Sequence, residues 1–460
     1  MNFSADKNTI NFAESQNTAK LFQGSKIGSK QVEISFSHDK ISSDGGLLLL
    51  KEVEKQTGII AALTQSIKDE RHPSYIEHSL NEIISQRVYQ IAAGYEDAND
   101  CNTLRDDNIL KMSVGRNPQT DKNLASQSTM TRFENSLERR DLYKIAQTFV
   151  LHFIQSYASE PSVIILDCDD TEDITHGQQE LSVFNAYYDN KCFMPLHIYE
   201  GISGKLITTV LKTGTRSKGS FVFSVLRRIV KLLRTVWKNT LIVIRGDSHF
   251  CSPELMAWTA QESKLHVLTG LTGNSALHKL SLVTRQSAEK EYNLTQKPVV
   301  RYHSFSYQAG TWAKPQRVIV KVVVNDKGVD LRYIVTDMYQ FRTQKLYELG
   351  YCGRGKMELY IKDHKTYLHS DRTSCHHWEA NQLRLFLHSA AYILIHSLQK
   401  NLLVGTQFYN STMDTIQKKI VKIAASVKEL KSKIKVEFSV SCPNQAEIGK
   451  AFEMLQTLRC

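Results

Sequence analysis

The chain has 460 residues, of which 41% are hydrophobic and 23% are charged. This length and composition predict a soluble globular protein of two or three domains. The formal net charge of +11 and the pI of about 9.1 favour a polyanionic partner, with nucleic acid first and an anionic membrane second. The eight cysteines form no C-x-x-C pair, which excludes the common zinc-finger and thioredoxin motifs, and free thiols fit a reducing cytosol.

Three stretches bear on localisation and on metal binding. The polar start of the chain lacks the apolar core of a signal peptide. The most apolar helix candidate, residues 383–398, is too short and too polar to span a bilayer and is predicted to be a buried core helix. Cys375-His376-His377 places three metal-ligating side chains together. No second cluster at suitable spacing accompanies them, so a closed zinc site is not predicted.

The N-terminal third is predicted to be mainly helical. Residues 1–30 are expected to form a flexible tail, and QVEISFS at 31–37 alternates like a strand. Residues 31–158 as a whole show apolar residues at helical spacing. Within this region, LASQSTMTRFENS at 124–136 predicts a short helix with Arg132 on its face. That helix suits either DNA reading or packing in a helix bundle.

Strands and helices alternate over residues 159–270. VIIL at 163–166 and LIVIRG at 241–246 are predicted to be buried strands, and PLHIYEG, KLITTVLKTG and HVLTGL add further strand candidates. FVFSVLRRIVKLLRTVW has the spacing of an amphipathic helix, and SPELMAWTAQES is predicted as the next helix. This alternation predicts an α/β domain.

The pattern changes in the second half of the chain. Long strand candidates make residues 271–340 a β-rich block that interrupts the α/β domain, and Asn-Asp-Lys-Gly at 325–328 is predicted as a hairpin loop. The chain is then expected to be helical to its end. Residues 341–405 form the second part of the core, and residues 406–460 form a basic C-terminal segment. The stretch 417–435 of that segment carries seven lysines against one glutamate.

The stretch DCDDTED at 167–173 follows the first buried strand and contains five carboxylates. Ligand sites in open α/β sheets collect at the carboxyl ends of strands, and Asp247 follows the second buried strand. We therefore expect Asp169 or Asp170 to lie near Asp247. Clustered carboxylates repel each other, and a divalent cation such as Mg²⁺ or Mn²⁺ offsets the repulsion. The alternative is a solvated acidic loop.

A third carboxylate comes from YELGYCGRGKMELYIKDHK at 347–365. Spacings of 3, 4, 4 and 3 place five side chains on one helix face, namely Tyr351, Arg354, Glu358, Lys362 and Lys365. Glu358 is the one carboxylate in this stripe and is a candidate metal ligand, while Arg354 and Lys365 are placed to hold phosphates. The alternative is an exposed face stabilised by Glu–Lys pairs.

These residues carry a specific resemblance. The motif Y-x2-R-x3-E-x6-K, matched by Tyr351, Arg354, Glu358 and Lys365, resembles the signature of the DDE transposases of bacterial insertion sequences. The order of strand Asp, strand Asp, β-rich insertion and helix Glu is similar to theirs. Longer stretches resemble the insertion-sequence group numbered 1380, from about residue 31 to 455: DCDDTEDITHGQQELSVFNAYYDNKCFMPLHIYEG, RGDSHFCSPELMAW, SYQAGTWAKPQRVIVKV, LASQSTMTRFEN and AAGYEDANDCNTLRDD.

The resemblance implies an α/β fold: an RNase H-like catalytic core interrupted by a β-rich insertion, with a mainly helical N-terminal DNA-binding region. The catalytic residues, which are also the metal ligands, would be Asp169, Asp247 and Glu358. Asp170 remains an alternative to Asp169, and strand alternation places Asp167 and Asp169 on one face with Asp170 on the other. The cofactor would be two Mg²⁺ or Mn²⁺ ions per active site. The expected DNA-binding residues are Tyr351, Arg354, Lys362, Lys365 and Trp312.

The implied activity is cleavage at the ends of an insertion sequence, followed by joining of the 3′-hydroxyl ends to target DNA by two-metal phosphoryl transfer. The expected partner is double-stranded DNA, as terminal inverted repeats and target DNA, bound by a homodimer. No membrane partner is expected, and the protein would act in the bacterial cytoplasm at the nucleoid. Trp312 would stack on a displaced base, and packing of its ring in a hairpin is an equal alternative.

Two other functions fit parts of the sequence. Asp167-x-Asp169-x-Thr171 after an apolar strand also matches the nucleophile motif of haloacid-dehalogenase-like phosphatases. That family's second acidic residue is missing after Asp247, where Cys251 and Ser252 stand. The other alternative is a non-catalytic DNA-binding protein descended from a transposase, and the presence of all three carboxylates argues against it.

Overall fold

The computed structural model describes residues 21–36, 40–215 and 219–457. Its strands are, in chain order, β1 (Leu21–Ile27), β2 (Lys30–Ser35), β3 (Ile41–Ser42), β4 (Val163–Asp170), β5 (Asp173–Ile174), β6 (Val183–Asn185), β7 (Asn190–Phe193), β8 (Leu196–Glu200), β9 (Leu206–Val210), β10 (Leu241–Gly246), β11 (Leu265–Leu271), β12 (Val299–Tyr307), β13 (Gln316–Asn325), β14 (Gly328–Thr336), β15 (Ala425–Glu429) and β16 (Ile434–Phe438).

The helices are α1 (Leu47–Thr57), α2 (Ile59–Ser66), α3 (Leu80–Ala92), α4 (Asp100–Leu104), α5 (Asn108–Val114), α6 (Gln127–Glu134), α7 (Arg139–Gln155), α8 (Gly219–Val236), α9 (Pro253–Thr259), α10 (Ser275–Leu280), α11 (Leu282–Thr295), α12 (Thr343–Lys345), α13 (Gly355–Lys362), α14 (Trp378–Ser397), α15 (Met413–Ile416) and α16 (Gln445–Thr457). Wider π-turns and one 3-10 turn join α12 to α13 and extend α13, so residues 343–367 form one irregular helical segment. We call it the signature helix.

A mixed eight-stranded sheet forms the centre of the α/β fold, in the order β12-β13-β14-β11-β10-β4-β8-β9. The middle strands β4, β10 and β11 are parallel, and their other neighbours run antiparallel. The runs VIIL and LIVI form β4 and β10 because central parallel strands are covered on both faces. The strands predicted from PLHIYEG, KLITTVLKTG and HVLTGL are confirmed as β8, β9 and β11.

The two faces of the central sheet pack against different helices. Alternate side chains of β4, such as Ile164 and Leu166, join a core with α7, α8 and α9. The opposite face packs against the signature helix through Val243, Leu268 and Leu346. Because side chains alternate along a strand, this second face also receives the odd-numbered residues at the end of β4.

The predicted tail and β-rich block differ from the structure. Residues 21–27, placed in the flexible tail, form β1, which pairs with β2 around Gly28 in the left-handed region. Residues 1–20 lie outside the described part. The block at 271–340 begins with two helices, α10 and α11, which sequence reasoning missed because α11 buries little more than Ala288. Its strands β12–β14 continue the central sheet beyond β11.

Two local predictions about hairpins have opposite outcomes. The loop at 325–328 is confirmed, since Asn325 pairs with Gly328 across a two-residue turn. The lysine-rich stretch 417–435 was expected to be helical, and its second half is instead a hairpin of β15 and β16, joined by β3 into a small sheet. Ala425 and Val427 are buried at strand spacing, a two-residue alternation that the lysines obscure.

The N-terminal helices pack around α14 in the largest hydrophobic core. Ser79 and Glu82 form a capping box that begins α3. The stretch predicted as a buried core helix is confirmed within α14, most of whose residues are buried. Among the described residues, no helix is both long and apolar enough to cross a bilayer.

Candidate active site

The ends of β4 and β10 bring two of the predicted carboxylates together. The parallel register pairs Asp167 with Arg245, so Asp169 and Asp247 follow two residues later on their respective chains. The negative charge of Asp247 contributes to a raised pKa of Asp169. The two carboxylates are therefore close enough to repel each other. Asp247 also accepts a hydrogen bond from the backbone N–H of His249 at 2.8 Å and begins a short 3-10 turn.

Arg354 of the signature helix reaches this pair of carboxylates. Its Nη2 donates to Oδ2 of Asp169 at 2.7 Å, and both side chains are mostly buried. Burial raises the pKa of Asp169 to about 7, and the charge of Arg354 opposes that rise. The Nε of Arg354 is buried without a hydrogen-bond partner within the described structure, so this guanidinium retains a free donor at the site.

Tyr351 approaches the same strand ends from the signature helix. A Cβ added to Gly270 of β11 would lie 2.8 Å from the Tyr351 hydroxyl and 2.8 Å from the backbone nitrogen of Ser248. Gly270 therefore leaves the space that the tyrosine occupies beside the β10 end. Burial raises the pKa of Tyr351, and Asp247 adds to the rise.

Glu358, Lys362 and Lys365 lie farther along the signature helix. Lys365 is half-buried, and its Nζ donates to Oγ1 of Thr171 at 3.3 Å and to the backbone oxygen of Glu172. Glu358 and Lys362 are exposed. The carboxylates of Asp169, Asp247 and Glu358 are not a group whose ligand atoms all lie within 4.8 Å of one another. The structure thus joins Arg354 and Lys365 to the acidic stretch, whereas Glu358 is exposed.

Trp312 is not an open stacking surface. Its ring is 7% exposed, packs edge-on against Tyr307, and belongs to the core of the β12–β14 strands. Gln308 also donates to the Trp312 carbonyl at 2.9 Å. This is the packing role that the sequence left as an alternative to base stacking.

Three of the remaining acids of DCDDTED have defined environments. Asp167 is fully buried and accepts two hydrogen bonds from Arg245, at 2.5 and 2.6 Å. Asp170, on the other face of β4, pairs with Lys212. Asp173 is also buried and lies in β5, so it is not a solvated loop residue.

Arg245 is a functional candidate that sequence reasoning missed, and the pairing of Lys212 with Asp170 was missed as well. Arg245 lies two residues before Asp247, and its Nη1 also donates to the carbonyl of Gly350 in the signature helix. The Arg-Gly-Asp sequence offered a signal, because alternation puts Arg245 and Asp247 on one face of β10. Lys212 lies beyond β9, and nothing in its local sequence points to Asp170.

The chain as a whole matches a known protein family. The family model described as "Transposase DDE domain group 1" matches residues 24–460. The chain belongs to this family of DDE transposases. No curated protein matches the chain significantly. Among solved structures, it is similar to the cryo-EM structure of the piggyBac transposase synaptic complex with hairpin DNA, with 13% identity over 83% of this chain and 80% of that chain and a TM-score of 0.44.

DDE transposases use divalent metal ions, and the residues of this transposase fit such an ion. Asp169 and Asp247 offer the hard oxygen ligands that Mg²⁺ and Mn²⁺ prefer. Burial is the largest cause of the raised pKa of Asp169, and the charges of Asp247 and Asp170 add to it. Arg354 is the positive charge that lies against Asp169 in this structure.

Proposed function

We propose that this DDE transposase, of the insertion-sequence group numbered 1380, cleaves the ends of its element. It then joins the freed 3′-hydroxyl ends to target DNA. The observation that carries the proposal is the placement of Asp169 and Asp247 in register at the ends of two parallel strands, with Arg354 on Asp169. The basic net charge of +11 suits a DNA partner, because most contacts that hold DNA are made to phosphates.

An RNase H-like core is the proposed scaffold. Its support is the strand order β9-β8-β4-β10-β11, in which an antiparallel meander of three strands is followed by two parallel strands. The segment 271–340 would be the insertion, although its strands lengthen the same sheet. The helical region 31–158 would bind DNA, with the exposed Arg132 of α6 available for contact.

The proposed catalytic and metal-binding residues are Asp169, Asp247 and Glu358. When bound, two Mg²⁺ or Mn²⁺ ions would activate the attacking hydroxyl and stabilise the leaving oxygen of the phosphodiester. Glu358 lies one helical turn beyond Arg354 and is exposed, and in the proposed site its side chain would turn toward the strand ends. Arg354 would exchange part of its contact with Asp169 for a DNA phosphate.

The remaining residues of the signature helix would position DNA. Lys365 already lies against Thr171 and Glu172 and would hold a phosphate near the acidic stretch. Tyr351 would contact the strand end, and Lys362 would bind phosphate from its exposed position. We leave Trp312 out of this set because its ring is buried. The two ends of the element must be joined to target DNA in one reaction. We therefore propose that a homodimer holds both terminal inverted repeats together with the target DNA.

The phosphatase alternative requires an accessible Asp167 as part of the nucleophile motif. Asp167 is fully buried and held by two hydrogen bonds from Arg245, which counts against it. The non-catalytic alternative predicts that the carboxylates can be neutralised without loss of function, and it is tested by the same experiment as the main proposal.

The experiment follows Mg²⁺-dependent cleavage of a labelled DNA fragment that carries the element's own end. We expect Asp169→Asn, Asp247→Asn and Glu358→Gln each to lower cleavage and strand transfer by about 10³-fold or more, since each removes a proposed metal ligand. DNA binding at low salt should survive in Asp247→Asn. Asp170→Asn is the matched control and should retain most activity. Activity of Asp247→Asn equal to that of the unaltered protein would overturn the catalytic proposal.

A further inference from the structure

Three metal-ligating side chains that are not part of the proposed catalytic site meet on the surface. Glu180 lies in the loop between β5 and β6, and His376 and His377 immediately precede α14. One ligand atom from each residue lies within 4.8 Å of the other two, and all three residues are exposed. Glu180 is 196 positions before His376 in the sequence, which is why a reading of local spacing found only the two histidines and Cys375.

The imidazole of His376 is held in the form that binds a metal. Its Nδ1 lies 2.8 Å from the carbonyl oxygen of Gln178. A carbonyl can only accept a hydrogen bond, so in the neutral imidazole Nδ1 carries the proton and Nε2 has the lone pair. Metal-binding histidines commonly show this arrangement, in which one ring nitrogen donates to a carbonyl and the other binds the ion.

Glu180 and His377 complete the cluster. Oε1 of Glu180 lies 3.2 Å from Nδ1 of His377, and Oε2 accepts from the backbone N–H of Trp378 at 3.3 Å. The ring of His377 lies 5.1 Å from that of His376, centroid to centroid. One carboxylate oxygen therefore lies against an imidazole nitrogen while the other is fixed on the first turn of α14.

The backbones of the two segments are already fastened to each other. The N–H of Glu180 donates to the carbonyl of His376 at 2.9 Å, and Nε2 of Gln179 donates to the carbonyl of Thr373 at 2.6 Å. The three ligands are consequently supported at fixed backbone positions before any ion arrives. Little ordering of the chain would oppose binding.

We propose that Glu180, His376 and His377 form a surface binding site for Zn²⁺ that clamps the β5–β6 loop to the start of α14. Two imidazole nitrogens and one carboxylate oxygen are a donor set typical of zinc sites that keep a water in the fourth position. A tetrahedral ion with bonds of 2.0–2.2 Å needs ligand atoms roughly 3.3–3.6 Å apart. Rotations of these exposed side chains supply the remaining movement of about 1 Å.

This site is separate from the proposed catalytic site in residues and in chemistry. Asp169, Asp247 and Glu358 offer only oxygen ligands, which suit Mg²⁺ and Mn²⁺, whereas imidazole ligands favour zinc and similar ions. The proposal does not depend on the transposase reaction, because it concerns Zn²⁺ affinity and attachment of a loop.

The test is a Zn²⁺ titration of the full chain against a competing chromogenic chelator. The Asp247→Asn protein serves as the background, so that the His249–Asp247 pair cannot contribute a competing site. We expect one Zn²⁺ site that is weakened at least about tenfold by His376→Ala and by His377→Ala, since even loss of an outer hydrogen-bond partner weakens metal sites about 10–100-fold. Glu180→Gln should also weaken binding.

The matched control is His303→Ala, which removes an exposed histidine of β12 and should leave the Zn²⁺ affinity unchanged. Zn²⁺ should raise the unfolding temperature of the background protein and of the control, and should not raise that of the His376 or His377 variants. The visible spectrum of bound Co²⁺ should change in the same variants. Zn²⁺ affinity that is equal in the background, His376→Ala and His377→Ala proteins would overturn the proposal.

Discussion

The guanidinium of Arg245 and the carboxylate of Asp167 form a buried pair that links β10 to β4 through two hydrogen bonds of 2.5 and 2.6 Å. The same guanidinium donates to the Gly350 carbonyl, so one side chain connects both strands of the candidate site to the signature helix. Two glycines leave the space for it. A Cβ on Gly201 would lie 2.5 Å from Arg245 Nη2, and one on Gly353 would lie 2.8 Å from Nη1.

Replacement of Arg245 should distinguish its contribution to the stability of the protein from its role in positioning the signature helix. Arg245→Met leaves the buried Asp167 carboxylate uncompensated, and we expect the free energy of unfolding to fall by about 3–5 kcal/mol. The double variant Arg245→Met/Asp167→Leu removes both charges and should recover most of that loss. It should not recover DNA cleavage, because the contact with Gly350 remains absent. Urea unfolding and the cleavage assay measure the two effects.

Arg332→Met is the control for that comparison, because Arg332 pairs with Asp330 on an exposed surface. Arg332→Met should lower the free energy of unfolding by less than about 1 kcal/mol. Recovery of both stability and cleavage in the double variant would show that the Arg245 contact to the signature helix is dispensable.

Arg354→Lys should impair cleavage while leaving DNA affinity within a few-fold. Lysine keeps the positive charge but lacks the planar guanidinium. Arg354 uses that group to hold Asp169, and its Nε–H remains without a partner within the described structure. We expect the cleavage rate to fall about 10²–10³-fold, as when one preorganised donor is removed from a reaction centre. Single-turnover cleavage and end-binding assays measure this, with Arg285→Lys on α11 as control. An equal fall in the cleavage rate of Arg354→Lys and Arg285→Lys would indicate a general effect of charge or packing.

The sequence predicted the strand ends of the site because their signals are local. VIIL and LIVI are apolar runs of strand length, and the acids follow directly after them. Alternation could have placed Arg245 on the face of Asp247, but its pairing with Asp167 was not predictable because it depends on the strand register. Lys212 likewise reaches Asp170 only through the pairing of β8 with β9 and β4.

Other parts of the fold were missed where the local pattern is weak or misleading. Helix α11 buries little of its surface, and its apolar spacing is therefore faint. In β15 the lysines hide a two-residue alternation that becomes meaningful only when β3, from the far end of the chain, pairs with it. The Glu180–His377 contact also joins segments too distant for spacing arguments.

Glu54 should make stability depend on pH. Burial raises its pKa from 4.5 to about 7, although its Oε1 accepts from the N–H of Ala61 at the start of α2. The folded state therefore holds a proton more tightly than the unfolded state does. The stabilisation is complete below about pH 4.5 and is lost as the pH rises through 7. Between pH 5 and 8, the free energy of unfolding of the unaltered protein should fall by on the order of 1–3 kcal/mol more than that of Glu54→Gln.

Urea unfolding at several pH values measures that difference. Glutamine retains the oxygen that accepts from Ala61 and does not titrate, so the variant should show the flatter profile. Glu70→Gln alters an exposed glutamate and should behave like the unaltered protein. Parallel profiles for Glu54→Gln and the unaltered protein would contradict the assignment.

The hairpin of β15 and β16 should contribute to DNA binding through three of its lysines. Lys431, Lys433 and Lys435 are exposed, and within the described residues none of them forms an ion pair. Lys418 and Lys422 of the same segment are instead paired with Asp414 and Asp44. Free lysines can neutralise phosphates and release counterions, so end binding should weaken steeply as salt increases.

Changing those three lysines to alanine should therefore flatten the salt dependence of DNA binding. Each phosphate contact contributes about 0.9 to the slope of log K against log salt, so the slope should shrink by up to about 2.7. The matched control changes three exposed lysines on or beside α10 and α11, namely Lys279, Lys290 and Lys297. Fluorescence anisotropy over a range of salt concentrations measures both slopes. An unchanged slope in the hairpin variant would exclude these lysines as phosphate contacts, and an equal reduction in both variants would mean that the hairpin has no special role.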